Sequence, residues 1–164
     1  MPTDNANTEA IVGAINEFLT FLSEDYRKEV SLSKQKYQFQ NTESRLADWP
    51  ANYRDVFRDS DDRPKELKNG VYLFFDKSDK LIYVGHAVSI GSRLGSYFQY
   101  DTDRSCKVKK DMFKDATYGR VISLPENLKF LGPSLECFLI ARLSPPLNFL
   151  WKEKNTGDDG NQEI

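Results

Sequence analysis

The sequence predicts an α+β fold, and three observations carry that expectation. Two short strand-like runs, "GVYLFF" and "KLIYV", flank the polar turn "DKSD". Two segments with helical periodicity follow, and a third strand-like run, "ATYGRVISL", lies between them. The order is strand, strand, helix, strand, helix, with no internal repeat. At 164 residues the chain fits one domain with room for an appended segment, and it is long enough to bury a hydrophobic core.

The opening "MPTDNANT" is polar and reads as a frayed end. From Glu9 onward Ile11, Ile15, Phe18, Leu19 and Leu22 recur at helical spacing, which predicts an amphipathic helix to about Tyr26. "SLSKQKYQFQ" alternates too irregularly to assign, and "LADWPANYRDVFRDSDDRP" reads as turn, short helix, turn, with Pro50 and Pro64 as breakers. The two strands of the hairpin are rich in β-branched, aliphatic and aromatic residues. After Gly85 and His86, the positions of Ile90, Leu94, Tyr97 and Phe98 predict a helix that begins near Ser89, a suitable N-cap. Gly91 and Gly95 inside it each cost about 1 kcal/mol relative to Ala, a cost that close packing on a neighbouring backbone would explain. "GPSLECFLIARL" opens on Gly132 and Pro133, signals for a helix start, and "SPPLN" ends it. The tail "NTGDDGNQEI" is polar.

A net charge of −2 argues against strong nonspecific attraction to a polyanion. The charge is uneven, however. Between Arg63 and Arg120 stand 12 Lys and Arg against 7 Asp and Glu, so the middle is basic and the ends acidic, which permits nucleic-acid binding. Cys106 and Cys137 are far apart and form no C-x-x-C pair, so neither a disulfide framework nor a zinc site is indicated. No signal-peptide pattern opens the chain and no apolar run approaches about 20 residues, so the expectation is a cytoplasmic protein without a membrane partner.

Five residues could carry chemistry. Glu136 shares a helix face with Leu139, Ile140 and Leu143, and a carboxylate on an apolar face needs a partner, a proton or a metal. The alternative is an acid in the first turn, favoured by the helix dipole. Arg93 is the one charge in "SIGSRLGSYF"; a guanidinium can grip phosphate oxygens bidentately, or it can simply be a surface residue. Tyr72 and Tyr83 stand on adjacent strands, where tyrosines commonly pack, yet a phenol near a cation can act as a general base. His86 is either a satisfied polar side chain at a strand end or an acid–base group.

The combination is more specific than its parts. "GVY", then "YVG", then Arg93 within "SRLGSYF", then Glu136 in a late helix and Asn148 in "PPLN" resemble the GIY-YIG endonuclease family, especially the N-terminal incision module of the bacterial excision-repair nuclease subunit. The resemblance covers about Asn69 to Trp151. It implies a small three-stranded antiparallel sheet flanked by helices, a β-β-α-β-α core, which hydrolyses DNA phosphodiesters with one divalent cation, Mg²⁺ or in its place Mn²⁺. Carried over by position, Glu136 is the metal ligand, Arg93 contacts the scissile phosphate, and Tyr72 and Tyr83 are the catalytic phenols, with Tyr72 favoured as base. Gly70, Gly85 and Asn148 shape the site. His86 stands where the repair-nuclease pattern has lysine, although other branches use His nearby.

The expected organisation is an N-terminal, partly helical extension over 1–64, a nuclease domain over 65–152 and a polar tail over 153–164. Lys107, Lys109, Lys110 and Lys114 are the expected DNA-tracking surface, or else a solvated loop. The partner is DNA, and so short an extension leaves specificity to a protein partner, a homodimer or DNA structure. The alternative function is a noncatalytic DNA-binding or protein-interaction module that retains the fold.

Overall fold

The structure, a computed structural model, describes residues 3–34, 36–39, 69–100 and 106–149. The expected turn and short helix around Pro50 and Pro64, the boundary at 64/65 and the tail lie outside them.

At the centre of the sheet is β3 (Gly70–Phe75), antiparallel on one side to β4 (Leu81–Ala87) and on the other to β7 (Tyr118–Ser123). The turn joining β3 to β4 is held by Asp76, whose Oδ1 accepts from the main-chain N–H groups of Ser78 and Lys80. Asp79 takes the left-handed conformation there, φ 60°. The three-stranded antiparallel core is therefore as expected, but the sheet is wider. Two-residue strands β1 (Ser31–Leu32) and β2 (Tyr37–Gln38) both pair with the outer edge of β7.

Every residue of β3 is buried, because both faces of the sheet are covered. On one face Val71, Leu73, Phe75, Val84 and Ile122 pack against α1 (Thr3–Phe18) and α4 (Gly132–Leu143). On the other, Tyr72, Phe74 and Val121 pack against Ile90 and Leu94 of α3 (Ile90–Tyr97), together with Phe39, Phe98 and Phe113. This second layer is dominated by aromatic rings, with Phe39 stacked on Phe98 at 4.2 Å between centroids.

The N-terminal segment departs from expectation twice. Residues 3–8, expected to fray, are helical, with Asn7 Nδ2 donating to the Asp79 carbonyl. The helix ends at Phe18 rather than continuing to Tyr26. A 3-10 turn (Leu19–Phe21) follows, Leu22 is extended, and α2 (Glu24–Glu29) begins afresh. Arg27 stabilises the break, since its guanidinium donates to the carbonyls of Leu22 and Thr20 that a continuous helix would have used.

Between α3 and β7 the expected loop contains a short ribbon, β5 (Phe98–Tyr100) paired with β6 (Cys106–Val108). α4 ends where Ser144 turns left-handed, φ 49°, ahead of Pro145 and Pro146. No helix among the described residues is long and apolar enough to cross a membrane.

Candidate active site

Register fixes the two tyrosines. Tyr72 lies opposite Gly85, and Phe74 opposite Tyr83, so Tyr72 and Tyr83 project diagonally from the same face of neighbouring strands, ring centroids 6.2 Å apart. Gly85 makes this arrangement possible: a Cβ there would overlap the Cζ and hydroxyl of Tyr72. The glycine of "YVG" is thus the floor over which the tyrosine of "GVY" lies. Gly70 holds the other end of β3. Its φ of 153° suits glycine, and a Cβ would run into the Ile122 carbonyl oxygen.

A third phenol completes the group. Tyr97, at the end of α3, places its hydroxyl 3.1 Å from that of Tyr72. Sequence reasoning used Tyr97 only as a packing position on the helix. The available signal was its spacing four residues after Arg93, which puts the two on one helix face. Burial, above all, pushes the pKa of Tyr72 up, followed by the neighbouring Tyr83 and Tyr97 phenols, while Arg93 acts in the opposite direction. Tyr83 is also pushed up, first by burial, then by Tyr97, with the negative charge of Glu136 adding to it. Both phenols are therefore neutral near pH 7. Tyr72 is the inner member, 2% exposed, and Tyr83 is half-buried.

Arg93 is exposed, and its guanidinium makes no hydrogen bond or ion pair among the described residues. Ser89 precedes α3 as expected, but its hydroxyl donates to Ser92 Oγ rather than capping the main chain. Glu136 lies beyond the first turn of α4, which contains no acidic residue, so a first-turn dipole does not account for it. Its carboxyl is held above the ordinary range by burial, offset in part by a main-chain hydrogen bond from His86 and by Arg93. His86 faces α4, and a Cβ on Gly132 would collide with its ring. Its Nε2 is buried with no hydrogen-bond partner among the described residues, and its pKa is lowered by burial and then by Arg93. Tyr72, Tyr83, Arg93, His86 and Glu136 thus share one electrostatic neighbourhood, with Arg93 acting on Tyr72, His86 and Glu136, and Glu136 on Tyr83.

Asn148 reaches the site from residues 146–149, which are helical. It accepts from Val84 N–H and donates to the Val84 carbonyl, between Tyr83 and Gly85. The four lysines fall on several elements: Lys107 is on β6, Lys109 Nζ donates to the Gly95 carbonyl at the end of α3, and Lys110 and Lys114 bracket a 3-10 turn (Asp111–Phe113). Arg120, which the sequence did not mark, is buried on β7. It donates to the Ser33 carbonyl and Thr8 Oγ1, tying the N-terminal segment to the sheet.

Comparison with known proteins accords with this geometry. Residues 68–149, half of the chain, match the UvrC-like GIY-YIG domain. UvrABC system protein C of Clostridioides difficile is 39% identical over 87 residues, covering 53% of this chain and 14% of that protein. The same protein of Malacoplasma penetrans is 39% identical over 88 residues, 54% and 14% of the two chains. That of Wolinella succinogenes is 34% identical over 94 residues, 54% and 15%. The aligned region of this chain spans about one-seventh of the length of these curated relatives. With the matched region taking in β3 through α4 and the tyrosines, arginine, glutamate and asparagine gathered there, the chain belongs to the UvrC-like GIY-YIG domain family.

Proposed function

We propose that the chain is a divalent-metal-dependent DNA endonuclease acting through Tyr72, Tyr83, Arg93 and Glu136. One observation carries the reading: an exposed guanidinium with no ion pair among the described residues stands close enough to a buried phenol and a half-buried carboxylate to offset part of the rise that burial gives the pKa of each. Such a cation suits a phosphate, which it can grip through two oxygens. The relatives' place in the UvrABC system supports DNA as the substrate and repair as the setting. A protein partner or a second copy of the chain would supply specificity.

The residues fit a divalent cation. Among the described residues no cluster of three or more His, Cys, Asp or Glu could enclose one. A single carboxylate nevertheless suffices for Mg²⁺, which keeps most of its waters, with Mn²⁺ as substitute. Glu136, its carboxylate penalised by burial, is where added positive charge relieves most. When bound, the cation polarises a phosphate oxygen and lowers the pKa of water.

In the reaction a water oxygen bonds to phosphorus, the bond to one ester oxygen breaks, the water proton moves to a phenolate, and the departing ester oxygen leaves as an alkoxide that takes a proton from solvent. Arg93 offsets charge growing on the nonbridging oxygens. Burial favours Tyr83 over the Tyr72 assignment as the phenol that meets the water, with Tyr72 and Tyr97 behind it fixing its hydroxyl. Because the free phenols are protonated, the acceptor must first lose its proton; the positive charge of Arg93 favours that phenolate, and a bound cation would add to the effect.

The test is cleavage of duplex, branched and single-stranded DNA with Mg²⁺ or Mn²⁺. Wild type is expected to cut at least one, and Glu136→Gln and Arg93→Ala to abolish cutting. Equal residual cleavage by wild type and Glu136→Gln overturns the proposal. DNA binding without cleavage, and without a metal effect on thermal stability, identifies a noncatalytic module instead.

A further inference from the structure

A groove of about 520 Å³ opens at the end of the sheet where β3 turns into β4. Its apolar part is Ile82, Pro146 and Leu147, and its rim carries Lys77, Lys80 and Lys114. Two aspartates, Asp76 and Asp115, oppose these lysines, but Asp76 is already engaged with the main chain of its own turn. Lys77 and Lys80 form no ion pair among the described residues. The volume is in the range of small-molecule sites, and a lysine rim over an apolar wall matches a nucleotide, with its phosphate on the ammonium groups and its sugar and base on the side chains.

The groove shares Ile82 and Leu147 with the packed layer that carries Tyr72 and Tyr83, and none of the candidate catalytic residues lines it. Ile82 immediately precedes Tyr83, and Leu147 immediately precedes Asn148. Ile82, Tyr83 and Leu147 belong to the same packed layer as Tyr72. Lys80 is three residues from Tyr83, across the bulge at Ile82 and so at most about 10 Å away along the chain, within roughly three nucleotides of duplex rise. From this shared layer, size and charge we infer that the groove beside the β3–β4 turn holds the sugar-phosphate backbone of the DNA strand a few nucleotides to one side of the phosphodiester at Arg93. The inference rests on the proposed DNA-cleaving role for its ligand, and it adds Lys77 and Lys80, which the sequence did not mark, as phosphate contacts.

Equilibrium binding of fluorescently labelled duplex and single-stranded DNA tests it, with Glu136→Gln as the background so that no strand is cut. Lys77→Ala with Lys80→Ala is compared with Lys28→Ala plus Lys129→Ala, a pair of equal charge far in sequence from the groove. The groove pair is expected to weaken binding about tenfold near 0.1 M salt and to flatten the plot of log K against log salt by about 1.5. The control pair should do neither. In the cleaving protein the groove pair should raise KM with little change in kcat, and only DNA extended on one side of the cut should lose affinity. Equal effects of the two pairs, or a loss independent of which side is extended, overturn the groove. Failure of wild type to cut DNA overturns the nuclease reading alone, because the binding comparison needs no cleavage. Tighter retention of RNA than DNA by the lysine rim would overturn the assigned occupant.

Discussion

Asn148 pairs with both main-chain polar groups of Val84, accepting its N–H at 2.9 Å and donating to its carbonyl at 2.8 Å. Because β4 ends the strand order of the sheet among the described residues, this side-chain amide pairs with its edge as one residue of a neighbour strand would, beside the residues that carry Tyr83 and the glycine under Tyr72. Asn148→Ala leaves both Val84 groups unpaired in a half-buried setting and is expected to cost about 1–3 kcal/mol in urea unfolding. Asn148→Asp, which places a carboxylate against the Val84 carbonyl, should be no better. Faster hydrogen exchange at the Val84 amide in both variants would tie the loss to this pairing; unchanged exchange would refute it.

Two glycines offer a matched comparison. Gly85→Ala forces a methyl into the Tyr72 ring and is expected to destabilise by about 1–3 kcal/mol, as overpacking does, while also displacing the Tyr72–Tyr97 hydrogen bond. Gly13→Ala on exposed α1 meets nothing within 4 Å and should stabilise by about 0.5–1 kcal/mol. Opposite shifts in the urea midpoint are the expected result.

The strands were legible because apolar β-formers cluster between polar turns, and Tyr72, Tyr83, Arg93 and Glu136 were legible only through their order along the chain. Tyr97 was not, since an aromatic residue on an amphipathic helix has the same pattern whether its hydroxyl meets solvent or another phenol. β1 and β2 escaped notice because two-residue strands have no period, and their pairing is with β7, far along the chain. The helical start at Thr3 depends on contacts such as Asn7 with Asp79, 72 residues away. Local propensity contains no trace of such a partner. Lys109, one of the lysines expected to track DNA, also donates to the Gly95 carbonyl at the end of α3, a contact that a charge run does not reveal.

Glu136 makes stability depend on pH in a defined direction. Its carboxyl holds a proton more tightly in the folded chain than in the unfolded one, because burial disfavours the charged form. This group costs nothing while both states are protonated, below the ordinary carboxylate range, and the penalty develops as pH rises through that range to the raised folded value. Glu136→Gln is therefore expected to raise the melting temperature at pH 7.5 and to have little effect near pH 3.5. With millimolar Mg²⁺ the wild-type protein should recover stability and the variant should not. A variant less stable than wild type at pH 7.5 without metal would refute the electrostatic account.

Arg93 can be followed without any assay of cleavage, because His86 is the chain's one histidine and gives a single imidazole signal in proton NMR. Burial and then the Arg93 charge lower its pKa from the ordinary 6.5. Replacing Arg93 with Gln removes the second cause and leaves the first, so the His86 pKa should rise towards, but not above, the ordinary value. Arg93→Lys keeps the charge on a shorter, more flexible amine and should fall between the two, while losing the two-point grip on phosphate. If the His86 titration is the same in wild type and Arg93→Gln, the guanidinium does not stand among these groups, and the electrostatic basis for placing a phosphate there is lost.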